Sequence, residues 1–193
     1  MVRPRGYVRE EVIDKAMVLF WRLGYEGAHL AALVEHTGLN RFSLYKEFGG
    51  KAGLYEAALD RFVGLLLEQY RGVLTQQPLG LENIEAALKS LEYGSEYYGC
   101  FMLNTLAQKD SAPPAAVEQA LATAAEIETL YRDNLVGAAE RGQVGKAADL
   151  AALGKLLQTL DQGLHMQGLA GTSDSQKDAA IAAAMALLRQ ASP

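Results

Sequence analysis

Apolar residues in this chain recur at intervals of three and four almost from end to end. Nowhere do they alternate every second residue between turn signals, as the strands of a half-buried sheet require. Ile13, Ala16, Met17 and Phe20 fall at i, i+3, i+4 and i+7, with Leu23 closing the stripe and Gly24 placed to end it. Leu30, Leu33 and Val34 share one face of a short segment, which Thr37-Gly38-Leu39 interrupts. Asn40 is a good N-cap for another short helix, in which Leu44 and Phe48 lie four apart. After Gly49-Gly50 a long helix is expected from Lys51 to about Gln77, with Leu54, Ala58, Phe62, Leu65 and Leu66 facing inward. Pro78 stops it. Further helices are expected over Leu81 to about Tyr97, Cys100 to about Lys109, Ala115 to Arg141, Asp149 to about Leu169 and Ser175 to Gln190. The fold class is therefore all-α, with about nine helices.

Half of the 193 residues are hydrophobic, enough for a real core, yet no apolar run reaches the length of a membrane span. The basic start runs straight into charged residues with no apolar segment of the signal-peptide kind. The single cysteine, Cys100, has no partner for an intramolecular disulfide. Together these lead us to expect a cytoplasmic protein without a membrane role. The formal charge of −5 hides a division: residues 1–51 carry eight Lys or Arg against six acids, a balance of +2, and the remainder carries −7. Only the N-terminal part is suited to meet a polyanion.

Two short helices joined by a three-residue turn containing glycine, preceded by a third, have the geometry of a helix-turn-helix. Gly38 supplies a backbone conformation that residues with a Cβ resist. Leu33 and Leu39 would hold the two helices at a fixed crossing. The next helix would then present Arg41, Phe42, Ser43, Tyr45 and Lys46 outward. Arg and Lys can donate to guanine or phosphate, Ser is adaptable, and an aromatic edge fits a thymine methyl.

At this point Gly24-Tyr25-Glu26-Gly27, Leu33-Val34, Thr37-Gly38-Leu39, Leu44-Tyr45-Lys46-Glu47-Phe48, Lys51 and Leu54-Tyr55 can be taken together. In order and spacing they resemble the DNA-binding signature of the TetR family. The resemblance implies an N-terminal helix-turn-helix domain, residues 1–50, and a helical effector-binding and dimerisation domain, residues 51–193. It implies a repressor of double-stranded operator DNA. Tyr45 and Lys51 would contact phosphates, and Arg41, Phe42, Ser43 and Lys46 would sit nearest the bases. Lys51 opens a helix whose N-terminus also favours a phosphate. Arg3 and Arg5 would reach an adjacent minor groove as an arm. The sequence departs from the family at His29, where a capping Ser or Thr is usual, so His29 would have to take over the phosphate contact. It departs again at Glu47, a carboxylate that must turn away from DNA or pair with a base such as Lys51.

The resemblance further implies a homodimer through the last two helices, which would set two reading heads on a palindromic operator with half-sites one turn, roughly 34–36 Å, or a multiple apart. The segment Gly99-Cys100-Phe101-Met102-Leu103-Asn104 is similar to one in the NemR-like and AcuR-like branch, which implies release by an electrophile or a small molecule. A cysteine in the first turn of a helix has its thiolate favoured by free N–H groups. A lone cysteine among Phe101, Met102 and Leu103 is more often a packed or pocket-lining residue, and both readings stay open. Asn104, Tyr97, Tyr98 and His165 are the other candidates for an effector site, with Tyr93 as core or lining. Asp161 and His165, one turn apart, suit a surface pair or a hydrogen-bonded core histidine more than a metal or ligand site. Trp21 is read as packing between the two domains. No metal and no cofactor are expected.

Other function classes fit less well. An enzyme needs a converging nucleophile, base and stabiliser or a set of metal ligands. One Cys, three His and no Gly-rich phosphate loop offer neither. A helical adaptor that had lost DNA binding would lack the basic and small polar residues that Arg41, Ser43, Lys46 and Lys51 supply.

Overall fold

The computed structural model describes residues 7–94, 97–145 and 147–190. Arg3 and Arg5 lie outside the described residues. Among those described the chain forms nine helices and no strand: α1 Arg9–Gly27, α2 Leu30–Thr37, α3 Arg41–Phe48, α4 Lys51–Leu74, α5 Leu81–Lys89, α6 Phe101–Ala107, α7 Pro114–Glu140, α8 Leu150–Leu169 and α9 Asp174–Gln190. None is long and apolar enough to cross a membrane. Residues group into two compact units, one built from residues 1–65 and 100–122, the other from 66–99 and 123–193. Helices α4 and α7 contribute residues to both.

The first unit is organised around an aromatic cluster. Tyr55 of α4, fully buried, meets Phe20 of α1 edge-on at 4.9 Å, Tyr25 at 5.1 Å and Phe101 of α6 at 5.2 Å. Trp21 packs on Phe62 of α4 at 5.0 Å, and Phe62 on Phe101 at 5.8 Å. Such edge-to-face contacts add to the stabilisation from burial. The Tyr55 hydroxyl and the Thr105 hydroxyl, 2.9 Å apart, satisfy one another, and burial raises the Tyr55 phenol above its usual range. Ile13, Ala16, Leu33, Leu39, Leu44, Leu54 and Ala58 complete the core, as their spacing predicts, and Val12, outside the expected stripe, joins them.

Two positions depart from the expected stripes. Leu65 is 44% exposed rather than inward. The buried face of α4 runs through Leu54, Ala58, Phe62, Leu66, Tyr70 and Leu74 in steps of four. Each step drifts about 40° around a helix with 3.6 residues per turn, so a residue three after Phe62 is left behind. Leu23 is also 44% exposed, at the end of the regular part of α1, where Gly24 (φ 72°, ψ 176°) breaks the helical path. That backbone conformation favours a residue without a Cβ, and a methyl group on Gly24 would also push aside the side-chain amide of Gln108.

The second unit holds α5, α8, α9, the end of α4 and most of α7. Its core includes Tyr70, Leu74, Ile84, Leu88, Tyr131, Leu135, Leu157, Leu164, Ile181 and Met185. Asn134 of α7, wholly buried, ties the α4–α5 connection down. Its Nδ2 donates to the carbonyls of Leu74 (2.7 Å) and Leu130 (2.9 Å), and its Oδ1 accepts from Gly80 N (3.2 Å) and Asn83 Nδ2 (3.0 Å).

The helix expected from Leu81 to about Tyr97 stops instead at Lys89, and the described residues 90–94 and 97–100 are extended or irregular. Tertiary contacts overrule the local pattern here. Ser90 Oγ donates back to Ala87 O at 2.7 Å, Lys177 Nζ draws Leu91 O to 2.5 Å, and Tyr93 OH donates to Leu164 O of α8 at 2.5 Å. The Ser90 bond is local and compatible with a helix, but a helix continued through Leu91 and Tyr93 would break the other two.

Candidate nucleic-acid interface and buried polar sites

The turn between α2 and α3 forms as its residues dictate. Gly38 closes α2 in the left-handed conformation (φ 72°), and Thr37 bridges the corner by donating to Leu33 O at 2.6 Å and accepting from Leu39 N at 3.2 Å. Leu33, Leu39 and Leu44 are buried to 1% exposure or less and set the crossing of the two helices. The side chain of Asn40 accepts from Ser43 N at 2.9 Å and so caps α3. His29 occupies the N-cap of α2 but makes no side-chain cap bond, and its side chain is exposed.

On α3 the burial falls on Leu44, and the outer face carries Arg41, Phe42, Tyr45 and Lys46. Phe42 is 77% exposed and Tyr45 50%. The Arg41 guanidinium lies 5.9 Å above the Tyr45 ring, a cation–π contact that steadies a long side chain. Ser43 is half-buried, its backbone N–H already used by the cap.

The one acid of α3 is neutralised within the protein. Glu47 does pair with a base, but the base is Arg9 of α1 (3.5 Å) and not Lys51, and Tyr7 OH donates to its second oxygen at 3.2 Å. Arg9 reaches it because its guanidinium lies over the Phe48 ring at 5.2 Å. Lys51 is engaged elsewhere: its ammonium sits 4.5 Å over the Tyr25 ring and donates to Glu26 O at 3.4 Å. Partial burial lowers the Lys51 pKa, and the nearby Glu26 carboxylate opposes that shift.

The remaining candidates divide between the two units. Cys100 and Asn104 belong to the first. Cys100 is 3% exposed and stands at the N-cap of α6 with extended backbone (φ −96°, ψ 120°), rather than inside the first turn. Its carbonyl accepts from Asn104 N at 2.9 Å. The same short helix ends on Gln108, which sequence reasoning missed. The Gln108 Oε1 accepts from Tyr25 N at 3.1 Å and fills the space beside Gly24. The Gly24-Tyr25 pair signals a bend, but nothing in the sequence says that a residue 83 positions on seals it.

In the second unit Tyr97 and His165 are brought into direct contact. The phenol oxygen lies 2.5 Å from His165 Nδ1, with the rings parallel and their centroids 6.4 Å apart. Burial lowers the His165 pKa, and the nearby Asp161 carboxylate opposes that shift. Tyr98 is half-buried. Asp161, buried one turn before His165, accepts from Tyr70 OH at 2.7 Å and Tyr131 OH at 3.2 Å. Burial raises its pKa, with His165 and the two phenols opposing the shift. Tyr131 is pushed well above its usual range by burial and by that carboxylate. Tyr70, Tyr131 and Lys177 are further residues the sequence did not single out. Among the described residues no three His, Cys, Asp or Glu side chains cluster as a metal site would need.

On α8 and α9 a shallow groove is walled by Leu153, Leu156, Leu157, Leu160, Leu187 and Leu188. Leu156 is 57% and Leu187 67% exposed.

Comparison with known proteins follows the same division. Residues 12–58 match the model of bacterial regulatory proteins of the tetR family, and residues 81–184 match the tetracyclin repressor-like C-terminal domain. The chain is 31% identical over 178 residues to the HTH-type transcriptional repressor ComR of Escherichia coli K12, covering 89% of this chain and 84% of ComR. It is 30% identical over 112 residues to the repressor BdcR of the same organism, covering 56% and 57%. Among solved structures it resembles a cysteine mutant of the TetR family regulator CifR complexed with a 26-base-pair operator, at TM-score 0.81 and 28% identity, covering 99% of this chain and 100% of that one. The reduced form of E. coli NemR shares the fold at TM-score 0.78 and 18% identity, over 91% and 94% of the two chains.

Proposed function

The chain belongs to the TetR family of bacterial regulatory proteins, and from that premise we propose that it is a transcriptional repressor that binds palindromic operator DNA through α3 and releases it on sensing an effector. The observation that carries the reading is the surface of α3. It exposes Arg41, Phe42, Tyr45 and Lys46 together, while Glu47, its one carboxylate, is held by Arg9 and Tyr7. Neutralising that acid internally removes the repulsion it would exert on a phosphate backbone.

In this reading residues 1–50 form the DNA-binding domain and residues 51–193 the effector-binding and dimerisation domain. Arg41, Phe42, Ser43 and Lys46 face the bases. Tyr45, Lys51 and His29 face phosphates, and Arg3 and Arg5 form the minor-groove arm. Lys51 gives up only a weak carbonyl contact and a ring face when it turns to a phosphate at the start of α4. The exposed leucines of α8 and α9 are the face on which a second copy packs, and their covering supplies the apolar area a stable dimer needs. Both curated relatives named above are repressors, which supports repression over activation.

The effector reading places a small molecule against Tyr97, Tyr98 and His165, or a modification at Cys100 with Asn104 beside it, as in the NemR-like and AcuR-like branch. Burial of Cys100 to 3% favours the reversible ligand, since a thiol must be reached before it reacts. The test is a fluorescence-anisotropy titration of the DNA upstream of the protein's own gene, with and without N-ethylmaleimide, for the parent and Cys100→Ser. Tight binding that the reagent leaves unchanged supports repression with a reversible effector. Binding abolished in the parent but kept in Cys100→Ser transfers the switch to the thiol. No binding there or to any duplex enriched from a random pool overturns the repressor reading.

A further inference from the structure

Phe42 stands out on α3 because the fold makes no use of it. Its ring is 77% exposed, the most of any large apolar side chain in the described residues, whereas Leu44, two positions on, is wholly buried and carries the packing of the helix. Asn40 caps α3 through Ser43 N, so the position of Phe42 in the first turn is fixed by the backbone rather than by its own contacts. Its neighbours on the outer face are cationic or polar: Arg41 before it, Tyr45 and Lys46 one turn on. Arg41 is already drawn over the Tyr45 ring, 5.9 Å from its centroid, rather than over the phenyl ring of Phe42.

A phenyl ring has no donor or acceptor, so it reads neither a phosphate oxygen nor the hydrogen-bonding edge of a base. The apolar group that a base pair displays in the major groove is the C5-methyl of thymine. The surrounding charge selects a polyanion, and the ring then selects the one apolar feature that the polyanion offers. Resting on the DNA-binding reading above, we propose that Phe42 is a specificity-determining residue that packs on the 5-methyl group of a thymine in each operator half-site, so that the operator is recognised partly by a methyl group and not only by hydrogen bonds.

The experiment replaces that methyl group and nothing else. An operator is enriched from a random duplex pool with the full chain. Each thymine of a half-site is then replaced singly by deoxyuridine, and affinities are read by fluorescence anisotropy for the parent and Phe42→Ala. Because the ring is exposed, Phe42→Ala should keep the parent's thermal midpoint and helical circular dichroism. At one thymine position deoxyuridine should weaken the parent about fourfold, the effect of removing one methyl-sized group from a buried apolar contact. Replacement in both half-sites should weaken it about fifteenfold. Phe42→Ala should bind the thymine and deoxyuridine duplexes alike. The proposal is overturned if no deoxyuridine position weakens the parent, or if Phe42→Ala loses as much at that position as the parent does. Both of those results leave DNA binding itself intact. Failure to enrich or bind any duplex overturns the DNA-binding reading and this inference with it.

Discussion

The outer face of α3 and the polar interior around Asp161 and Asn134 draw on similar residue types for opposite ends. On α3, Arg41, Tyr45 and Lys46 keep their polar atoms in solvent, and stability there comes from Leu33, Leu39 and Leu44 beneath them. In the second unit Tyr70, Tyr131 and Asn134 are buried, and each polar group is matched to a partner 30 or more residues away, as in Tyr131 to Asp161 and Asn134 to Leu74. An exposed polar face can be altered at little cost to folding. A buried network cannot, since removing one member strands the others. On the proposed reading of α3, the contrast makes binding residues and folding residues separable in this chain.

The strongest way to break the contrast is at Asn134. Asn134→Leu strands the amide of Gly80 and the carbonyl of Leu74, and is expected to cost about 3 kcal/mol of stability by urea denaturation. Operator affinity of the folded fraction should be unchanged; a loss of affinity larger than the loss of stability would show that the two regions are not separable. Next in size is the mirror experiment. Arg41→Ala is expected to cost about 1–3 kcal/mol at the preferred operator and to relax discrimination at one or two base pairs. Its urea midpoint should stay within about 0.5 kcal/mol of the parent.

The pH dependence sharpens the comparison further. His165 has a folded pKa below its usual 6.5 because of burial, so the unfolded chain binds its proton more readily. Stability from this group is complete above pH 6.5 and is lost as the pH falls from there toward the folded pKa. Asp161, raised by burial, acts the other way: its contribution is greatest at low pH and declines as the pH rises from its usual 3.8 toward its folded value. His165→Gln should therefore flatten the loss of stability below pH 6.5, and Asp161→Asn should remove the decline on the alkaline side of 3.8. Denaturation series across that range would show it, and identical profiles for parent and His165→Gln would contradict the assignment. The smallest effect is expected at Arg61→Ala. Its ion pair with Asp14, 3.0 Å long, leaves both side chains about half exposed, and such pairs contribute within about 0.5 kcal/mol.

The same contrast explains what could be read before the structure. The Asn40 cap, the Gly38 turn and the stripe through Leu33, Leu39 and Leu44 are all local, with partners a few residues apart, so spacing alone displays them. The outward set on α3 follows from that stripe. The pairing of Glu47 with Arg9 was half legible: a carboxylate there needs a base, but Arg9, at the start of α1, and Tyr7, just before it, lie about 40 residues back. The end of α5 at Lys89 was not legible, because Tyr93 and Lys177 make contacts across 71 and 86 residues that outweigh local helix preference. Gln108, Tyr70 and Tyr131 escaped for the same reason. A polar side chain with a distant buried partner looks, in sequence, like any solvated one. Leu65 shows the limit of periodicity itself, since the stripe of α4 drifts with each four-residue step.

The central claim is that α3 reads DNA through side chains the fold can spare. One measurement tests it directly: anisotropy titrations of an enriched operator and of a scrambled duplex with the parent, Arg41→Ala and Lys51→Ala, repeated over a series of salt concentrations. The account predicts that Lys51→Ala weakens binding to both duplexes about equally and reduces the salt slope by about 1. It predicts that Arg41→Ala narrows the gap between operator and scrambled duplex. If both variants bind both duplexes with the parent's affinities and salt slopes, α3 and the start of α4 do not carry the interface, and the account is wrong.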